Sequence, residues 1–156
     1  MILFLDFDGV LHPEGEGHLP SDGMEFCFLP RLETVLRQFS DVNVVISSSW
    51  RERLPYEALT APFSEDIRRR IIGVTPSRGV GRRHSYAHRE SEILAWVAQH
   101  DAEAQEWVAL DDAEWQFDTH KDRLVVCGSF SGFDEIAEAE LRAHLEKYAA
   151  RPLSKE

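Results

Sequence analysis

Apolar residues fall in short bursts along the chain, and two different spacings alternate. Residues 1–4 form an uninterrupted apolar run, residues 107–110 and 124–127 have the same character, and residues 42–46 depart from it only at Asn43. A run without polar alternation reads as a strand buried on both faces. Residues 70–74, closed by Thr75-Pro76, are a further strand candidate, and the first strand extends over residues 2–6. Between the strands the period becomes helical. Leu32, Val35, Leu36 and Phe39 share one face over residues 29–39, and Ile93, Trp96 and Val97 share one over residues 88–100. Residues 133–148 form a closing amphipathic helix behind Ser131-Gly132, and residues 52–59 suit a short one. Residues 12–23, rich in Gly, Pro and His, read as a long loop or flap. Strands alternating with helices predict an α/β fold, a three-layer sandwich around a mainly parallel sheet. One domain spans residues 1–150, followed by a polar tail at 151–156.

Chemistry gathers where the strands end. Asp6 and Asp8 follow the first run one residue apart, and the two-residue period of extended chain puts them on one side. Two anions that lose hydration together need a cation, a shared proton or a strong dipole. Gly9 beside them allows a sharp exit and close backbone approach. Asp-x-Asp-Gly also occurs as an ordinary turn, so the remaining strands decide its meaning. The second strand ends in Ser47-Ser48-Ser49-Trp50-Arg51, and the third in Asp111-Asp112. In an open parallel sheet, ligands bind beyond the carboxyl ends of the strands, at the switch in strand order. The three polar clusters therefore converge. Their two acidic groups make an oxygen cage suited to a hard cation such as Mg2+.

Composition narrows the partners. The 156 residues carry a net charge of −11, which excludes a non-specific duplex binder. A local basic window remains at Arg78, Arg82, Arg83, His84, His88 and Arg89. His84 and His88 lack a glutamate base beside them, so a zinc site is not expected there. No apolar stretch approaches the roughly 20 residues of a membrane span. The N-terminus lacks a basic flank and cleavage site, and the expected compartment is cytoplasmic, with no membrane partner. Cys27 and Cys127 have no C-x-x-C spacing and are expected to be reduced, mostly buried thiols. Trp50, Trp96 and Trp107 suit the core or its rim, whereas Trp115, just past the Asp pair, could meet a base.

The strings Asp6-Phe7-Asp8-Gly9-Val10, Val44-Val45-Ile46-Ser47, a basic residue before a helix, and Ala109-Leu110-Asp111-Asp112 resemble the four ordered motifs of the haloacid dehalogenase (HAD) superfamily. More narrowly, Leu5 to Leu11, Ile46-Ser47-Ser48-Ser49-Trp50-Arg51, Ile72-Gly73-Val74-Thr75-Pro76, Arg89-x-x-Glu92-Ile93 and Leu110-Asp111-Asp112 are similar to the small HAD-like domain of Swiss Army Knife RNA-repair proteins. The resemblance runs to about Tyr148 and implies a Rossmannoid fold with a minimal cap or none. It implies Asp6 as a nucleophile forming an aspartyl-phosphate, and Asp8 as the acid and base of the two half-reactions. Ser47 would bond a phosphoryl oxygen. Asp111 would complete a Mg2+ site with Asp6 and the backbone carbonyl of Asp8, and Asp112 would be a further ligand, direct or through water. Arg89 has the placement of the phosphate-binding cation, with Arg51, Arg82 and Arg83 as rivals; Gly9 and Ser48 join these three as substrate-binding candidates.

The expected activity is that of a Mg2+-dependent phosphomonoesterase. The connections are too short for a cap domain, so the site should be open to a large phosphorylated partner, with an RNA or DNA end or a nucleotide as candidate. The alternatives are a receiver-like module or a non-catalytic phosphate- and metal-binding domain, since the same residues could bind without turnover.

Overall fold

The computed structural model describes residues 1–14, 23–77, 88–103 and 105–150. Five strands, β1 (Ile2–Leu5), β2 (Asn43–Ile46), β3 (Ile71–Val74), β4 (Trp107–Asp111) and β5 (Leu124–Val126), form one parallel sheet in the order β3-β2-β1-β4-β5. The helices are α1 (Leu29–Gln38), α2 (Tyr56–Thr60), α3 (Glu65–Arg68), α4 (His88–Gln99) and α5 (Glu135–Ala149). Successive β1 residues point to opposite faces. Leu3 and Leu5 enter a core shared with α1, α2, α3 and α5, while Ile2 and Phe4 meet Ile93, Trp96 and Val97 of α4. Helices on both faces explain why the central strands read as continuous apolar runs. The expected three-layer α/β sandwich is what the chain forms.

Chain order reverses at the centre: from β1 the sheet grows outward through β2 and β3, then returns to add β4 on the other side. The carboxyl ends of β1 and β4 therefore flank the crevice where such sheets bind ligands. Only residues 6–28 separate β1 from α1, too few to build an independent cap with its own core.

Two local expectations change. The helix expected over 52–59 is a 3-10 turn, Ser49–Glu52, followed by α2 behind Pro55. Proline's fixed φ suits a helix start and moves that start beyond it. The single turn α3 is too short to leave a periodic signal, and contacts made elsewhere hold it. Buried Glu33 of α1 accepts the Ser64 N–H at 2.7 Å and the Ser64 hydroxyl at 2.6 Å, pinning the entry of α3. Arginines close two helix ends: Arg68 donates to the carbonyls of Thr60, Ala61 and Phe63, and Arg70 to those of Leu36, Phe39 and Val42. Carbonyls at helix C-termini lack the regular intrahelical donor and take side-chain donors in its place. The closing helix begins at Glu135, where the Asp134 carboxylate accepts the N–H groups of Ile136 and Ala137.

Among the described residues no helix is long and apolar enough to cross a membrane. Cys27 is exposed, Cys127 is buried, and both are free.

Phe4 lies edge-on to Trp96 and Trp107, with ring centroids 5.6 and 5.8 Å away. Phe4→Ala should lower unfolding free energy by about 3–5 kcal/mol, read as a shifted urea midpoint at unchanged slope. A loss below about 1 kcal/mol would show that this face is not close-packed.

Candidate active site

Asp6 follows β1 directly and Asp111 ends β4, and pairing of these strands brings the two together. The Asp6 N–H donates to the Leu110 carbonyl at 3.1 Å, fixing the register at the crevice. Both carboxylates are buried. Asp112 joins them, and one oxygen from each of the three lies within 4.8 Å of the others. Two features bring Asp112 in. The Ser129 hydroxyl donates to its Oδ2 at 2.8 Å. Gly9, at φ +71°, leaves space where a Cβ would stand only 2.2 Å from that oxygen. The structure thus gives Gly9 a role in the carboxylate cluster, where sequence reasoning had it among the substrate contacts.

Arg89, in the first turn of α4 and 7% exposed, faces this cluster. Its Nε lies 3.2 Å from Asp111 Oδ2, and its Nη2 lies 3.7 Å from Asp6 Oδ1. These are ion-pair distances without hydrogen-bond alignment: Nε and Nη1 of Arg89 and Oδ2 of Asp111 have no hydrogen-bond partner. The other Asp111 oxygen accepts the Ala113 N–H at 2.9 Å. Buried polar atoms without partners are costly and call for an explanation. Here the explanation is electrostatic.

Three carboxylates face one guanidinium, an excess of two negative charges in a desolvated crevice. Burial pushes the Asp6 carboxyl well above the usual carboxylate range; the Asp111 charge adds to this and Arg89 opposes it. Burial likewise raises Asp111 against the pull of Arg89. Asp112 is pushed up to about 6, again mainly by burial, with the Ser129 hydroxyl opposing. Burial alone would lower the Arg89 value, but Asp6 and Asp111 outweigh it and the guanidinium holds its proton more tightly. A divalent cation would balance the excess, and the oxygen-only donor set fits Mg2+.

Ser47 is buried at the end of β2, and its N–H donates to the Leu5 carbonyl at 2.9 Å, one residue before Asp6. The Ser48 hydroxyl accepts the Trp50 N–H at 3.3 Å and so caps the 3-10 turn. Arg51 does not face the site as a free cation. Its Nε donates to the Thr75 carbonyl, its Nη1 to Ser47 and Ser48, and its Nη2 to Pro76, with Glu92 2.7 Å away. With every nitrogen engaged, it builds the loop behind the serines and has no fork left for phosphate. Arg82 and Arg83 lie outside the described residues. Glu92, three residues after Arg89, is buried beside Arg51 and His88.

The Asp8 carboxylate stands apart from the three-carboxylate cluster. His12 Nε2 lies 2.9 Å from its Oδ1, and the Trp50 indole N–H reaches both oxygens, at 3.1 and 3.0 Å. Sequence reasoning assigned Trp50 to the core or rim and put His12 at the start of the loop or flap. A Trp–Asp contact across 42 residues leaves no local periodic trace. Glu90 was missed altogether. It is buried and accepts the Asp118 and Thr119 N–H groups, the Thr119 hydroxyl and His120. Burial works against its ionisation, but these donors win and hold it at about 2. Glu90 thereby ties the segment after β4 to the helix turn that carries Arg89.

A family model described as the HAD domain in Swiss Army Knife RNA repair proteins matches residues 2–137. No curated protein and no solved structure matches the chain.

The carboxylate cluster sets a pH signature. Asp6, Asp111 and Asp112 have folded values above their unfolded ones, so without metal the native state binds more protons. Stability therefore falls as pH rises from the ordinary carboxylate range through about 6, the Asp112 value. Glu90, held at about 2, acts oppositely but only below the ordinary carboxylate range. In EDTA, the melting temperature should rise by a few degrees as pH drops from 7 to 5 (~2 units). Saturating Mg2+ should raise the melting temperature at pH 7 and flatten the slope, and Asp112→Asn should flatten it in EDTA. An identical slope in EDTA, in Mg2+ and in Asp112→Asn would show that surface charge alone sets it.

Proposed function

Because the chain belongs to the family of HAD domains found in Swiss Army Knife RNA repair proteins, we propose that it is a Mg2+-dependent phosphomonoesterase that works through an aspartyl-phosphate on Asp6. The observation that carries this reading is the juxtaposition of three carboxylates with one buried arginine whose Nε and Nη1 have no hydrogen-bond partner among the described residues. That arrangement offers a seat for a cation on one side and for a phosphoryl group on the other. Asp6, Asp111 and Asp112, with the Asp8 backbone carbonyl, would hold Mg2+, which supplies charge neutralisation for phosphoryl oxygens.

The chain's own groups account for two displacements. An Asp6 oxygen attacks phosphorus, the bond to the leaving oxygen breaks, and Asp8 donates the proton that oxygen needs. Asp8, now ionised, takes a proton from water; the resulting hydroxide attacks phosphorus and frees the Asp6 carboxylate and inorganic phosphate. Ser47 and Arg89 hold phosphoryl oxygens in line. Arg89 also opposes the protonation of Asp6 that burial favours.

We assign the substrate as a phosphate on a nucleic-acid end or nucleotide. The family's description supports it, as does the short connection from β1 to α1. Two exposed aromatics add support: Trp115, 67% exposed three residues past Asp112, and Phe130, 80% exposed beside Ser129. Exposed rings close in sequence to Asp112 and to Ser129, its hydrogen-bond donor, offer stacking surfaces that suit any base. Free Cys27 and Cys127 fit the reducing cytoplasm we assign as the compartment.

The test is phosphate release from oligonucleotide ends, nucleotides, sugar phosphates and p-nitrophenyl phosphate, in Mg2+ or EDTA. Release should require Mg2+ and fall more than about a hundredfold in Asp6→Asn. Trp115→Ala should raise KM about tenfold for the oligonucleotide end and much less for p-nitrophenyl phosphate. Release that survives Asp6→Asn would remove the nucleophile. Phosphoprotein that accumulates without release would favour the receiver-like alternative.

A further inference from the structure

His12 beside Asp8 at 2.9 Å looks like a base poised to share its proton. The surroundings decide otherwise. His12 is fully buried, and its Nδ1 is the acceptor for the Phe26 backbone N–H at 3.3 Å. An imidazole nitrogen that accepts carries no proton, so the proton sits on Nε2 and points at Asp8 Oδ1. The Trp50 indole is a donor only, and its N–H is shared between Oδ1 and Oδ2. Oδ1 thus receives the whole His12 N–H and a share of the Trp50 N–H, and Oδ2 receives only the other share. Neither neighbour can take a proton from Asp8.

We infer that His12 and Trp50 are positioning residues that make Asp8 a carrier through one oxygen: Oδ1 is saturated, and the proton given to the leaving group travels on Oδ2. The proton balance is simple. Protonated Oδ2 gives its proton to the leaving oxygen as that oxygen's bond to phosphorus breaks, and the same Oδ2 later takes one from water. His12 keeps its Nε2 proton throughout, so no relay runs through it. The frame behind Asp8 is built to hold still. Phe26 adopts φ +55°, unusual for a non-glycine residue, and this turn presents its N–H to His12. Its ring packs edge-on against Phe7, His12 and Trp50, with centroids 5.4, 5.3 and 5.6 Å apart. Strain at such a position is expected where geometry serves function.

The inference rests on the phosphomonoesterase reading, and its test separates the two. General acid help matters for a poorly acidic leaving alcohol and little for an acidic phenol. The readout is the ratio of kcat/KM for a nucleoside 5′-phosphate to that for p-nitrophenyl phosphate, in Mg2+, with thermal melts confirming folded protein. Trp50→Phe should lower this ratio at least about tenfold, and His12→Ala should do the same. His12→Gln, which keeps an N–H near the Nε2 position but cannot shuttle a proton, should restore most of what His12→Ala loses. In an Asp8→Asn background, Trp50→Phe should lower the ratio no further. Equal losses on both esters in Trp50→Phe would overturn the inference in favour of a merely structural role. A folded His12→Gln as impaired as His12→Ala would overturn it in favour of proton transfer by His12. Wild-type protein that releases phosphate from neither ester would instead remove the phosphatase reading on which it stands.

Discussion

One buried charge imbalance organises this end of the molecule. Asp6, Asp111 and Asp112 stand together in a crevice with Arg89 as their cation among the described residues. Burying charges costs several kcal/mol per ion unless partners compensate, and one guanidinium cannot compensate three carboxylates. The same low dielectric that makes the imbalance costly makes an incoming cation or phosphoryl group bind more strongly than it would in water. Raised carboxyl groups and buried atoms without partners are the expression of that imbalance within the protein itself.

Much of the surrounding structure keeps that imbalance in place. The start of α4 brings His88, Arg89, Glu90 and Glu92, and the last three are buried. Glu92 is matched by Arg51, which also braces the carbonyls of the serine turn and of Thr75 and Pro76. Glu90 is matched by the donors of residues 118–120. Each pairing disposes of one charge locally and locks a loop against α4. Arg89 is left between Asp6 and Asp111 without a hydrogen bond that spends its fork.

Asp8 shows the opposite solution. Its carboxylate is supplied with donors by Trp50 and His12 and fixed by an aromatic cluster. Asp6 and Asp8, the proposed nucleophile and proton carrier, thus receive different environments: one desolvated among like charges, the other hydrogen-bonded and oriented. Two carboxylates can take different roles when their surroundings differ in this way.

The local pattern of the chain determined the layers, the five strands and the convergence of Asp6, Ser47 and Asp111-Asp112 on one edge. Strand burial, helical period and parallel connection are short-range or topological properties, and they are legible in residue order. Helix starts were less legible: Pro55 and the Asp134 cap displaced two of them, and α3 depends on Glu33, far away in the chain. Tertiary structure alone decided how the arginines divide their work, with Arg51 spent on carbonyls and Arg89 turned to the acids. It also decided that Gly9 makes room for Asp112 and that Trp50 and His12 serve Asp8. Each of these is a buried polar partnership or close approach between residues joined only by the fold, and no periodicity along the chain encodes which donor meets which acceptor.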